Sequence, residues 1–100
     1  MFSDLADDFV AQGLATRGTM MGRPCLRANG ELFASGEGAT QALVVKLPAA
    51  RVQEEIAAGR AVAFAPGGRA FREWIEVTDP SEAHARELMF EALAFVAGDG

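Results

Sequence analysis

The sequence is poor in the residues and patterns that identify most chemistries. A single cysteine, Cys25, excludes an internal disulfide. No cysteine and histidine residues stand at zinc-ligand spacing, so we expect no metal site and no cofactor. No apolar run reaches the roughly 18 residues of a membrane-spanning helix, and no basic segment precedes an apolar stretch as in a secretory signal. We therefore expect a cytoplasmic protein without membrane association.

The composition is that of one globular domain. Half of the 100 residues are hydrophobic and 23% are charged, which excludes intrinsic disorder and predicts a single domain over residues 1–100. Nine Lys/Arg against 14 Asp/Glu give a formal net charge of −5, the opposite of the usual balance in nucleic-acid-binding proteins. Nucleic acid is therefore a disfavoured partner. A local basic patch stays open, because residues 16–35 hold Arg17, Arg23 and Arg27 against Glu31 alone.

Caps and apolar spacing predict three helices, at residues 3–13, 48–58 and 79–97. Ser3 is the predicted N-cap of the first helix, and Asp79 is that of the last. The last helix is the longest and carries an apolar stripe along one side. We expect that stripe to lie across a sheet.

Asn29-Gly30 between two short strand-like runs predicts a β-hairpin with a type I′ turn. This turn places Leu26 opposite Phe33, and both are expected to face the core. Further strands are predicted at residues 41–47, 61–65 and 73–78, after a flexible connection at residues 35–40. The order helix, three strands, helix, two strands, helix favours a two-layer α+β fold with a mainly antiparallel five-stranded sheet.

Cys25 and His84 are the only cysteine and histidine in the sequence, and both residue types often take part in catalysis. Cys25 is expected to point away from Leu26 and to be half exposed. Arg23 and Arg27 are close enough in sequence to lower its pKa, which leaves a thiol-dependent enzyme open; a small residue filling a strand is the favoured alternative. His84 lies in the polar first turns of the last helix and is expected to be solvated. Without a catalytic set, the chain is predicted not to be an enzyme.

The segment 67–74 holds the most distinctive polar cluster. Its two glycines, followed by Arg69 and Arg72, are suited to cradling an anion with backbone N–H groups and guanidinium groups. The alternative is a simple turn in which Arg72 and Glu73 pair with neighbouring side chains such as Lys46 or Glu76. Trp74 is out of phase with the apolar strand positions beside it, so it is expected on the face opposite the core, in a partner surface or under a helix.

Several motifs in this order resemble the N-terminal domain of the TfoX/Sxy family. They are Met20-Met21-Gly22-Arg23-Pro24, the hairpin that ends in Phe33-Ala34, Lys46-Leu47-Pro48, and Gly68-Arg69-Ala70-Phe71-Arg72-Glu73-Trp74. The departures are Met21, Ala70 and Arg72, where the family usually has phenylalanine, proline and lysine.

The resemblance implies a secretion-chaperone-like fold of helix, three strands, helix, two strands, helix. It also implies a bacterial protein linked to the regulation of competence and transcription. The family's regulators carry a second, C-terminal helical domain. This chain ends at Gly100, so the resemblance implies a stand-alone N-terminal domain.

Two functional hypotheses follow. The first is a small non-enzymatic regulatory or protein-interaction module that acts on a protein partner or as a homodimer. Its candidate binding residues are Arg23, Arg69, Arg72, Glu73 and Trp74. The alternative is anion or nucleic-acid binding through Arg23, Arg27, Arg69 and Arg72, which requires these four side chains to converge.

Overall fold

A computed structural model describes residues 2–20, 22–36 and 42–98 of the chain. They form three helices and six strands: α1 (Phe2–Ala11), β1 (Thr16–Met20), β2 (Arg23–Ala28), β3 (Glu31–Gly36), β4 (Leu43–Lys46), α2 (Ala49–Ala57), β5 (Val62–Ala63), β6 (Trp74–Val77) and α3 (Glu82–Val96). A short 3-10 turn, Pro66–Gly68, stands between β5 and β6. No helix of the described ranges is long and apolar enough to cross a bilayer.

The six strands form one sheet in the order β1-β2-β3-β4-β6-β5, and every pairing is antiparallel. The α+β class and the antiparallel sheet are confirmed. The prediction of five strands is wrong, because β1 precedes the hairpin and changes the order to helix, four strands, helix, two strands, helix. Thr16–Met20 was missed since its threonines, arginine and glycine lack the alternation of large apolar residues that identifies a half-buried strand.

The helices seal one face of this sheet. Cross-strand partners share a face, and Leu26, Ala34, Val45 and Ile75 are successive partners across four neighbouring strands, each fully buried. They form one core with residues from all three helices: Leu5, Ala6 and Phe9 of α1, Val52 of α2, and Ala85, Leu88, Met89, Ala92 and Val96 of α3. The apolar stripe of α3 therefore lies on the sheet, as predicted.

The hairpin turn forms as predicted, but its register differs. Asn29 and Gly30 have φ of 55° and 80°, the left-handed conformation that a type I′ turn requires. A β-bulge between Leu26 and Arg27 then shifts the pairing, so that Leu26 lies opposite Ala34. The predicted Leu26–Phe33 pair is wrong by one residue. Both side chains are nonetheless buried in the core, because the extra residue of a bulge re-aims the strand locally.

The helix starts needed correction. The cap of α3 is Ser81, whose hydroxyl accepts a 3.1 Å hydrogen bond from the His84 N–H, so Asp79 is not the cap. Ser3 lies inside α1 and does not cap it, because that helix already includes Phe2. The predicted bounds of α2 are confirmed to within one residue.

The predicted buried strand at residues 61–65 is mostly wrong. Only Val62 and Ala63 pair, at the edge of the sheet, and Val62 is 53% exposed. Pro66 follows closely and cannot donate to a strand ladder, which favours a short edge strand. Ser35 and Gly36 belong to β3, whereas the rest of the predicted connection and Gln41 lie outside the described residues.

Candidate binding groove

The sheet face opposite the helices carries a different set of side chains. Pairing places Cys25, Ser35, Val44 and Glu76 side by side across the middle four strands. Cys25, Ser35 and Val44 are buried there, and the Ser35 hydroxyl donates to the Pro24 carbonyl oxygen at 3.0 Å. This face therefore contains polar groups that the helix-covered core lacks.

A groove opens where β4 ends and β6 begins. The term groove here means the concave surface lined by Lys46, Ala49, Arg69, Ala70, Phe71, Arg72, Glu73 and Trp74. Its position follows from the sheet, because Lys46 and Trp74 are cross-strand partners and the Leu47 N–H donates to the Glu73 carbonyl at 2.8 Å. Strand pairing thus brings Lys46 next to a segment that follows it by more than twenty positions.

Phe64 holds the aromatic side chains of the groove in place. It is 3% exposed, and its ring centroid lies 5.8 Å from that of Phe71 and 6.3 Å from that of Trp74. The Phe71 N–H also donates to the Phe64 carbonyl at 3.0 Å, which fixes the backbone of the groove segment. Phe71 itself is 42% exposed. An apolar side chain is thus presented to solvent from a fixed position.

The groove is positive on an acidic molecule. Three cations and one carboxylate give it a net charge of +2, against −5 for the whole chain. Within the described residues, no ion pair reaches Lys46, Arg69 or Arg72. The glycines do form a turn, but the predicted pairing of Arg72 and Glu73 with neighbours such as Lys46 or Glu76 is wrong for the described residues. Elsewhere arginines are ion-paired with nearby carboxylates, as Arg17, Arg51, Arg60 and Arg86 show.

Four of the five predicted site residues come together. Arg69, Arg72, Glu73 and Trp74 all line the groove, and the guanidinium carbon of Arg23 lies 6.0 Å from the ring centroid of the supporting Phe64. Four residues of the groove were not proposed as binding residues: Lys46, Ala49, Ala70 and Phe71. Only the pairing of β4 with β6 reveals Lys46. Phe71 could have been proposed from the sequence, because it lies between Arg69 and Arg72.

Arg27 lies apart from the groove residues. A Cβ placed on Gly18 would lie 3.1 Å from the Arg27 Nε and 3.5 Å from the Cys25 Sγ, so Arg27 extends over β1 and covers the thiol. The four arginines of the anion-binding alternative therefore do not line one groove. The prediction that the glycines cradle an anion also loses support, because the Gly68 N–H already donates to the Ala65 carbonyl within the turn.

Cys25 and His84 differ from their predicted environments. Cys25 does point away from the core, but it is 1% exposed rather than half exposed. Burial raises the pKa of its thiol, and the hydrogen bond and charge of Arg27 offset only part of that effect. A thiol with a raised pKa is a poor nucleophile at neutral pH. His84 is half-buried, and its Nε2 is shielded from solvent with no hydrogen-bond partner in the described part of the chain, so the expectation of a solvated side chain is wrong.

Among the described residues, no group of three or more His, Cys, Asp or Glu side chains is arranged to hold a metal ion. No protein-family model, no curated protein and no solved structure matches this chain. The resemblance to the TfoX/Sxy N-terminal domain accordingly stays a prediction.

Proposed function

We propose that this chain is a small non-enzymatic protein-interaction module whose groove binds an acidic segment of a partner protein. One observation carries the proposal: Lys46, Arg69 and Arg72 form no ion pair with any described residue, and they lie beside an exposed Phe71. Cations that are not neutralised internally attract carboxylates, and an anchored aromatic ring adds apolar contact. Arginine and tryptophan are also the residues that most often dominate binding energy at protein interfaces.

Protein is favoured over nucleic acid as the ligand. The carboxylate of Glu73 lies in the groove itself, and the whole chain carries a net charge of −5. Both the local carboxylate and the overall charge therefore repel a polyphosphate backbone. A protein partner with mixed charge accommodates Glu73, because a basic group beside its acidic segment pairs with that carboxylate. Arg27, which the nucleic-acid alternative needs, lies outside the groove.

The family resemblance supplies a context for this proposal. A TfoX-like N-terminal domain would act in the bacterial cytoplasm and would influence transcription or competence through its partners. A groove for an acidic segment agrees with such a regulatory role, because a regulator of this kind would act by binding another protein. The pathway and the location remain predictions from the resemblance.

Trp74 provides a direct measurement of binding. It is the only tryptophan in a chain without tyrosine, and it lines the groove, so its fluorescence reports occupancy. The probe is a short peptide of glutamates around one leucine. We expect saturable binding that weakens about tenfold in Arg72→Gln and at high salt. The matched control is Arg17→Gln, which removes an exposed arginine outside the groove and should leave binding unchanged.

Two further probes separate the alternatives. The same peptide with glutamine in place of glutamate should bind far more weakly if carboxylates are recognised. A single-stranded oligothymidine should bind weakly or not at all. Tight oligothymidine binding with a steep salt dependence would instead favour the nucleic-acid alternative. Absence of binding by every probe would refute the groove as an anionic-ligand site.

A further inference from the structure

A second unusual surface lies on the outer side of α3. The term α3 face here means the shallow surface lined by Glu82, Ala83, Arg86, Glu87, Phe90, Glu91 and Ala94. Phe90 is 40% exposed, although its ring is packed at a tilt against that of the fully buried Phe9, with 4.6 Å between the centroids. The Phe90 ring is thus held by the core and presents its other side to solvent. An anchored, exposed aromatic ring is typical of an interaction surface.

The α3 face is acidic, in contrast to the groove. Three glutamates and one arginine give it a net charge of −2, against +2 for the groove. Arg86 is held by Asp8 at 3.0 Å, and Glu91 is held by Arg51 at 2.9 Å. Within the described ranges, Glu82 and Glu87 form no ion pair. Their carboxylates are therefore available to cations from outside the molecule, as Arg69 and Arg72 are available to anions.

The apolar parts of the two surfaces also correspond. The groove offers the exposed Phe71 and the partly exposed Trp74 between its cations. The α3 face offers Phe90 and two alanines among its carboxylates. Each surface thus pairs an aromatic centre with a charged rim, and the two rims have opposite signs. Such complementarity steers association and fixes orientation.

We propose that the α3 face of one copy of this chain docks in the groove of a second copy. The proposal rests on the proposed function, because it takes the groove as a binding site, and it names the acidic segment as α3 of another copy. Glu82 and Glu87 would pair with Arg69 and Arg72, while Phe90 packs against Phe71. The contact joins two different surfaces, so it closes as a reciprocal dimer or continues as a chain of copies.

Reciprocal charge reversal tests this pairing in the full chain. The groove variant is Arg69→Glu/Arg72→Glu, and the helix variant is Glu82→Lys/Glu87→Lys. In sedimentation experiments at low salt, we expect the unmodified chain to self-associate and each variant to associate at least about tenfold more weakly. An equimolar mixture of the two variants should form a complex, because the intact α3 face of one meets the intact groove of the other.

Two controls accompany these variants. Glu31→Lys reverses an exposed charge outside both surfaces and should not alter association. The four reversals combined in one chain should restore self-association, because the charges are then exchanged between the two surfaces. Circular dichroism and thermal melting check that each variant folds, and a variant that does not fold is replaced by the corresponding glutamine substitutions.

Each remaining outcome decides against the proposal. A chain that sediments as a monomer up to high concentration overturns it, as does association that neither reversal weakens. Failure of the mixed variants to associate overturns this particular pairing. If the monomeric chain still binds the glutamate peptide through Trp74, then only self-association fails and the proposed function stands. If the chain stays monomeric but binds a cationic helical peptide, and the helix variant loses that binding, a basic partner occupies the α3 face instead.

Discussion

The two faces of the sheet are built from the same strands but hold different kinds of side chain. Val45 and Val44 are adjacent in β4 and are 0% and 1% exposed, yet they point to opposite sides. Val45 belongs to the core that the helices cover. Val44 has Ser35 and Glu76 as its cross-strand partners. The two valines are thus equally buried, but the neighbours of Val45 are apolar, whereas those of Val44 are partly polar.

Charged groups show the same contrast. Glu55 of α2 is 2% exposed and accepts hydrogen bonds from Arg51 and Arg60. Arg51 also binds Glu91, which joins α2 to α3 beside the helix-covered face. In the groove, by contrast, Arg69 and Arg72 have no ion pair within the described part of the chain. Charges beside the core therefore stabilise the fold, whereas those in the groove are available for binding.

The largest expected effect separates the two faces directly. Val45→Ala should lower the free energy of unfolding by about 2 kcal/mol, because it removes two methyl groups from a close-packed apolar core. Val44→Ala should cost about 1 kcal/mol, because its cross-strand partners Ser35 and Glu76 are polar. Urea unfolding of both variants measures the difference. Equal losses would mean that the second face is packed as tightly as the first.

An intermediate effect is expected at Glu55. Burial alone would raise the pKa of this carboxyl, but the hydrogen bonds from Arg60 and Arg51 outweigh it, and the pKa lies below the ordinary 4.5. Its contribution is therefore present above about pH 4.5 and is lost as the pH falls through the lower folded pKa. Glu55→Gln should cost about 1–2 kcal/mol at neutral pH.

Measurements of stability at acid pH test this interpretation. Stability curves of Glu55→Gln and the unmodified chain should converge as the pH falls below 4.5, because the protonated carboxyl resembles the amide. Glu54→Gln is the matched control: it removes an exposed carboxylate from the same arginine and should cost at most about 0.5 kcal/mol. A constant difference between Glu55→Gln and the unmodified chain at every pH would contradict the assigned ion pair.

The smallest effect is expected in the groove. Arg69→Gln and Arg72→Gln should change the free energy of unfolding by less than about 0.5 kcal/mol, because no described side chain forms an ion pair with either. The same variants should weaken peptide binding, so stability and binding separate at these positions. Thermal melting beside Trp74 fluorescence measures both quantities. A large loss of stability would show instead that these arginines serve the fold.

Prediction from the sequence worked best where a local signal was strong. Asn29-Gly30 predicted its turn because few residue pairs adopt two successive positive φ values. The apolar stripe of α3 predicted its buried side because the helical period is fixed. The predicted register beyond the turn was wrong, because the β-bulge between Leu26 and Arg27 has no signal in the two-residue turn itself. The strand Thr16–Met20 was not predicted, because an edge strand needs only a partner for its backbone and can contain almost any side chains.

The candidate site divides in the same way. Arg69, Arg72, Glu73 and Trp74 form one short segment, so their proximity was already contained in the sequence. Lys46 joins them only because β4 pairs with β6, whereas Arg27 lies apart from them because its side chain extends over β1.

The sequence by itself determined the class of fold, the turn, the helices and the local charge of the segment before β6. Each of these depends on neighbours along the chain, through backbone preference or the period of apolar residues. Only the tertiary structure decided which strands are adjacent, and with that which cations are left without carboxylates. An ion pair depends on distance in space, and that distance is set when the sheet assembles.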